Sequence, residues 1–289
     1  MIRTGTGSTF VSAALIVSAT GLLLFGSCLT DAEKKPEPDS PEPVEEVYDV
    51  LFVGSSYFAS NDLPGMVDSM VTAAGRKINI EREIVPGTYL DYHATSPVTA
   101  EKLRLKDWDF VFLQGGCTNI AYPELYNPYS TTHEDHPVLP SLKILEKKIH
   151  ENCDSTVMVY FMSQAFEDGM TWKGFPEETY DVMQQRIIDN TLEYAAQVDF
   201  VVSPGGAAWK HILAEPDVPL HYLHREDWNH PSLYGSYVFA CVVYSTIYME
   251  TSEGIPYYST IDPELAGHFQ QRGSTTVLFN PAQWKLPGR

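Results

Sequence analysis

Four runs of almost uninterrupted apolar residues limit what this chain can fold into. Val50-Leu51-Phe52-Val53 stops at Gly54, and Phe110-Val111-Phe112-Leu113 runs into Gln114-Gly115-Gly116. Val157-Met158-Val159-Tyr160-Phe161 precedes Ser163-Gln164, and Phe200-Val201-Val202 precedes Ser203-Pro204-Gly205-Gly206. Runs this short, with no polar alternation, suit strands that are covered on both faces. A further strand over residues 78–85 is closed by Pro86-Gly87. Between them lie stretches with helical spacing: residues 63–74, with apolar positions at Leu63, Met66, Val67, Met70, Val71 and Ala74, then 100–105, 139–149, 177–196 and a last helix over 232–248. Strands alternating with helices predict an α/β class, a three-layer α/β/α sandwich on a central parallel sheet of about five strands.

The chain before this body has a different composition. Residues 1–27 read as an export signal, with Arg3 the sole charge and an apolar stretch through Leu22-Leu23-Leu24-Phe25 that ends on the small residues Gly26 and Ser27. Ser18, Thr20 and Gly21 interrupt the run, so it makes a poor membrane span, which needs about 20 apolar residues. Leu24-Phe25-Gly26-Ser27-Cys28 resembles a bacterial lipoprotein signal, which implies lipid on Cys28. Residues 28–46 alternate proline with acids (Pro36-Glu37-Pro38-Asp39, Pro41-Glu42-Pro43) and predict an extended, solvated tether. Residues 47–289 are then one domain, as a body of that size in a single α/β unit would be. The resulting expectation is an exported bacterial lipoprotein, periplasmic or at the cell surface, held to the membrane through Cys28.

Charge narrows the partners. With 38 Asp and Glu against 19 Lys and Arg, the formal net charge is −19. Nucleic-acid binding by counterion release needs clustered cations, so no nucleic-acid partner is expected. An acidic surface also favours neutral over anionic substrates. With Cys28 lipidated, Cys117, Cys153 and Cys241 allow at most one intramolecular disulfide, and no Cys/His spacing suggests zinc.

In a parallel sheet, ligands bind beyond the carboxyl ends of the strands. Those ends carry Ser55-Ser56 after the first strand, Gly87 after the second and Gln114 to Asn119 after the third. A serine there becomes a nucleophile if an imidazole takes its proton and a carboxylate orients the imidazole. Asp227-Trp228-Asn229-His230 can supply both from one local element, because a three-residue spacing can put the two side chains on one side of a helical turn.

Gly54-Ser55-Ser56-Tyr57, Gly87, the Gln114 to Asn119 loop and Asp227-x-x-His230-Pro231, in that order, resemble the ordered blocks of the SGNH (GDSL-type) hydrolases. The resemblance implies a flavodoxin-like sandwich and a Ser-His-Asp triad, with Ser56 as nucleophile, Ser55 in the variable place, His230 as base and then acid, and Asp227 as its orienter. It also implies an oxyanion hole made by the N–H groups of Ser56 and Gly87 with a third donor after strand three. The family's Gly-x-Asn-Asp is absent, and Thr118 stands where its Asn would be, so Asn119 and Gln114 are the candidates. The Gly-x-Ser-x-Gly elbow of α/β-hydrolases is missing, since Phe58 takes the place of its second glycine.

The expected activity is hydrolysis of O-acyl or acetyl esters on a small molecule or a glycan, with no cofactor and no metal. His133-Glu134-Asp135-His136 has ligand chemistry, but adjacent side chains on a polar loop do not define a tetrahedral site. Tyr122, Tyr126, Tyr129, Trp172 and Trp209 could stack on sugar rings, with core packing the ordinary role of such residues. His93 could line the pocket or serve the core. The competing reading is a glycan-binding surface lipoprotein that keeps the fold without catalysis.

Overall fold

The computed structural model describes residues 47–123, 138–171 and 178–288. Residues 1–46, on which the expected signal, Cys28 and the expected tether fall, lie outside the described residues, as do His133 to His136, Tyr126, Tyr129 and Trp172.

Five strands form one sheet in the order β2-β1-β3-β4-β5, and every neighbouring pair is parallel. They are β1 (Tyr48–Gly54), β2 (Ile78–Ile84), β3 (Phe110–Gln114), β4 (Val157–Phe161) and β5 (Val201–Ser203). Val50 to Val53 of β1 are completely buried, because β1 is flanked by β2 and β3 and covered on both faces. β2 is an edge strand and differs accordingly: Glu81, Arg82 and Glu83 break its apolar pattern and leave a charged border. The register pairs Val50 with Phe110 and Leu113 with Tyr160, so the carboxyl ends of β1, β3 and β4 finish at one level.

Ten α-helices surround the sheet among the described residues. The crossover from β1 to β2, through α2 (Leu63–Ala73), runs the opposite way along the sheet from the crossovers β2 to β3 to β4 to β5. Right-handed crossovers therefore place α2 on one face and α3 (Leu90–Thr95), α4 (Pro97–Leu103), α6 (Val138–Asn152) and α7 (Tyr180–Ala195) on the other. α9 (Leu233–Tyr248) packs on α2 and is buried over 13 consecutive residues, as a helix apolar all round must be. The result is the three-layer sandwich that the apolar runs predict.

Two helices depart from the sequence expectation. α8 (Gly205–Leu213) begins in the Gly205-Gly206 pair that reads as a loop, and α10 (Pro263–Leu278) follows α9, which is therefore not the last helix. α10 lies against both α8 and α9. Its start does carry a signal, because Asp262 accepts from the N–H groups of Glu264 and Leu265 and Pro263 takes the first turn. The short helices α1 (Ser56–Ala59) and α5 (Cys117–Ala121) follow the ends of β1 and β3, and α5 takes up the end of the Gln114 to Asn119 segment that reads as a loop.

Candidate active site

The chain leaves β1 toward β2 and returns on the other side of β1 as β3, so the carboxyl ends of β1 and β3 flank the topological switch point of the sheet. Such a place is an open crevice, because the two connections diverge to opposite faces. Here it holds a pocket of about 510 Å³, whose walls include Ser55, Ser56, Gly87, Gln114, Phe166 and His230.

The first wall is the turn after β1. Gly54 must be glycine, since a Cβ there would lie 2.8 Å from Phe58 Cδ2 and 2.9 Å from Gln114 Cβ. Ser55 stays extended at φ −129°, and Ser56 opens α1. Three bonds fix this turn. Val85 N–H donates to Gly54 O at 2.9 Å, Ser55 N–H donates to Gln114 Oε1 at 2.8 Å, and Gly87 N–H donates to Ser55 Oγ at 3.1 Å. Gly87 sits at φ +80°, a conformation that favours glycine, and this brings its N–H back toward the β1 turn. Beneath the turn His93 is fully buried, with Nε2 3.1 Å from Gly54 O and Nδ1 3.0 Å from Thr99 Oγ1. Burial pushes its pKa down, so this histidine is a neutral strut under the turn and not a pocket wall.

The second wall is the segment between α8 and α9. A bridge between His224 and Pro231, with Arg225 N–H donating to His230 O at 2.8 Å, closes a tight loop. Inside it Asp227 Oδ1 accepts from the N–H groups of Asn229 at 3.0 Å and His230 at 2.9 Å, and Trp228 takes φ +65°. The sequence spacing suggests a helical turn, but the structure forms an aspartate-centred turn. The carboxylate itself satisfies the backbone and so holds the next three residues around it. Its other oxygen, Oδ2, lies 2.8 Å from His230 Nδ1. Partial burial pushes the Asp227 carboxyl up, yet the two backbone N–H groups and the His230 ring outweigh it and hold the group below the usual carboxylate range.

The two walls meet at Ser56 and His230. Ser56 Oγ lies 2.9 Å from His230 Nε2. With the Nδ1 proton held by Asp227, Nε2 presents its lone pair and the serine hydroxyl donates. Nonlocal contacts clamp the histidine loop onto the serine turn. Tyr57 OH donates to Asn229 Oδ1 at 2.6 Å, and Gln164 Nε2 at the end of β4 donates to Asn229 O at 2.6 Å. From the other side Asn61 Nδ2 reaches Pro231 O at 3.2 Å, Ser232 O at 3.0 Å and Ser236 Oγ at 2.8 Å. Asn61 and Asn229 escape sequence reasoning as site residues, although Asn229 stands inside the Asp-x-x-His block.

The strand-three candidates are placed differently from one another. Gln114 lines the pocket, but its carbonyl oxygen receives Ser55 N–H and its amide donates to Gly115 O at 2.6 Å. Asn119 is not among the lining residues, and its Oδ1 accepts from Thr118 Oγ1 at 3.1 Å. Cys117 also lines the pocket, 3 % exposed, with Sγ 3.1 Å from Tyr57 OH. Burial pushes its pKa up to about 11, which keeps it a thiol and a poor nucleophile at neutral pH. Cys153 and Cys241 are free as well. Two aromatic residues considered for sugar stacking pack in the core. Trp209 is fully buried against Phe239, and Tyr122 is buried.

Neither a family model nor a curated protein matches the chain. Solved structures do. The chain is similar to a DUF4886 family protein from Bacteroides uniformis ATCC 8492, with a TM-score of 0.65 and 17% identity over 81% of this chain and 96% of that one. It is also similar to a candidate SGNH hydrolase from Slackia heliotrinireducens, with a TM-score of 0.53 and 19% identity over 70% of this chain and 100% of that one. At such identities the likeness is one of fold.

Proposed function

We propose that this chain, which has the fold of the SGNH hydrolases, is a serine ester hydrolase whose triad is Ser56, His230 and Asp227. One observation carries the reading: Ser56 Oγ, His230 Nε2 and Nδ1, and Asp227 Oδ2 form a continuous hydrogen-bonded line at the pocket of the switch point. Each link is at a length suited to proton transfer or orientation without rearrangement. Ser56 Oγ attacks the ester carbonyl carbon and gives its proton to His230 Nε2, while the carbonyl π pair moves onto oxygen. Asp227 stabilises the imidazolium that forms. Collapse of the tetrahedral adduct breaks the bond to the alcohol, which leaves with the proton from His230. Water then repeats the cycle on the acyl-serine and releases the acid. The N–H of Ser56, first residue of α1 and without an intrahelical acceptor by position, supports the oxyanion.

The substrate we assign is a neutral, short-chain O-acyl or acetyl ester, with a glycan as its alcohol part. The acidic balance of the chain disfavours anions, and the export pattern of residues 1–27 supports a location where surface glycans are met. A serine-directed fluorophosphonate separates this from glycan binding without catalysis. The expected result is a single adduct on Ser56, located by peptide mass and absent from Ser56→Ala. Intact protein that binds glycan and takes no label overturns the reading.

The anchor belongs to the same proposal: lipid on Cys28, with residues 28–46 as the tether to a bacterial membrane. Wild type is expected in the detergent phase of a cell extract and Cys28→Ser in the aqueous phase. Equal partition of the two would refute lipidation.

A further inference from the structure

In the strand-three block Asn119 lies outside the pocket lining, and Gln114 gives its carbonyl oxygen to Ser55 N–H and one of its two amide hydrogens to Gly115 O. The Gly87 N–H is also not pointed at open space. It donates to Ser55 Oγ. Ser55 is 6 % exposed and borders the same pocket as Ser56. Its N–H is taken by Gln114 Oε1 and its carbonyl receives the N–H groups of Phe58 and Ala59. Its hydroxyl oxygen accepts from Gly87, so the hydroxyl hydrogen must point elsewhere, and it has no acceptor among the described residues. A buried hydroxyl with a fixed incoming bond and an unused hydrogen, one residue from the nucleophile, is a preorganised donor.

We infer that the Ser55 hydroxyl is an oxyanion donor of this site beside the Ser56 N–H, itself oriented by Gly87 N–H. The inference rests on the proposed ester hydrolysis at Ser56. As the carbonyl π pair moves onto oxygen, that oxygen gains negative charge and the Ser55 O–H bond to it strengthens, while the proton stays on Ser55. Gly87 N–H pulls electron density from Ser55 Oγ and makes its hydrogen a better donor, so Gly87 acts through Ser55. The variable residue of the serine block thus shares the role that the missing asparagine leaves open.

The sign of one substitution separates this role from its alternative. If Ser55 only occupies the Gly87 N–H, Ser55→Ala frees that donor for the oxyanion, and turnover stays level or rises. If Ser55 donates, Ser55→Ala lowers kcat for a short-chain aryl acetate by about 10- to 10²-fold, with KM within about 2-fold and phosphonylation of Ser56 slowed in parallel. Ser55→Thr, which keeps the hydroxyl and suits the extended backbone, is expected to restore most of the rate. Unchanged or faster turnover in Ser55→Ala overturns the assignment, as does a loss expressed wholly in KM. Ser56→Ala in the same assay keeps the two readings apart: inactive Ser56→Ala beside fully active Ser55→Ala defeats only the role of Ser55, and active Ser56→Ala defeats ester hydrolysis at this site.

Discussion

Replacing Ser56 with alanine is expected to lower kcat for a short-chain aryl ester by on the order of 10⁴- to 10⁶-fold, the scale of losing a triad nucleophile. The loss is this large because the substitution removes the covalent route itself and not one stabilising contact. In the proposed reaction attack by Ser56 splits ester hydrolysis into two easier displacements, and among the described residues Ser56 is the hydroxyl bonded to His230 Nε2. Cys117 is the nearest alternative by chemistry, but its buried thiol, pushed up to about 11, donates no thiolate at neutral pH and is held by Tyr57. His230 could still activate a water, which leaves a residual rate above background from base catalysis and the remaining donors. The fold should be unaffected, because the Ser56 side chain is partly exposed and, among the described residues, its Oγ bonds to His230 alone. The measurement is steady-state hydrolysis of a p-nitrophenyl ester by folded wild type and variant, with thermal unfolding as the control. Equal turnover numbers would remove Ser56 from the chemistry.

The sheet is legible in the sequence where burial is complete and much less so where it is not. β1, β3 and β4 are covered on both faces, and burial alone selects their apolar residues, so the runs stand out without any alignment. β2 is readable only through its closing Pro86-Gly87, because an edge strand needs charge on its open side. α8 and α10 are obscured for a different reason. Gly205-Gly206 looks like a loop in sequence, but a helix starts there because the backbone passes so close to Met162 and Ser163 that no side chain fits: Gly206 N–H donates to Met162 O at 2.8 Å. α10 mixes Gly267, Gly273, His268, Gln270 and Gln271 with its apolar positions, which blurs the period that α2 shows plainly.

At the candidate site the division follows sequence distance. Asp227 and His230 are three residues apart, so their pairing is local and readable, although the aspartate-centred turn that produces it is not. Ser56 is recognisable by its place after the first strand. What the sequence hides are relations made by distant backbone: Gly87 with Ser55, Gln114 with Ser55, Tyr57 and Gln164 with Asn229. Each depends on strand register and on the return of the chain beside β1. The candidates for a third oxyanion donor can therefore be named from residue type, but their hydrogen-bond commitments emerge only from the fold.

Asp227→Asn is the second large effect, expected at about 10²- to 10⁴-fold in kcat with little change in KM. The size follows from what the carboxylate does at both oxygens. Oδ1 builds the turn by accepting two backbone N–H groups, and an amide oxygen can keep that arrangement. Oδ2 accepts the Nδ1 proton of His230, and an asparagine NH2 placed there donates instead. The imidazole must then carry its proton on Nε2, facing Ser56, and cannot take the serine proton. The variant should therefore fold, bind substrate and fail at the proton transfer, so phosphonylation of Ser56 slows with turnover. The pH behaviour separates this from a loss of shape. Because the Asp227 carboxyl lies below the usual carboxylate range in the folded protein, it stays ionised through the acid side of neutrality, and wild type does not lose the orienter there. The Asn variant lacks the charge at every pH, so its deficit should persist across the whole profile and should not disappear on the alkaline side. A variant that regains the wild-type rate at high pH, or a loss expressed only in KM, would show that Asp227 does not hold the tautomer.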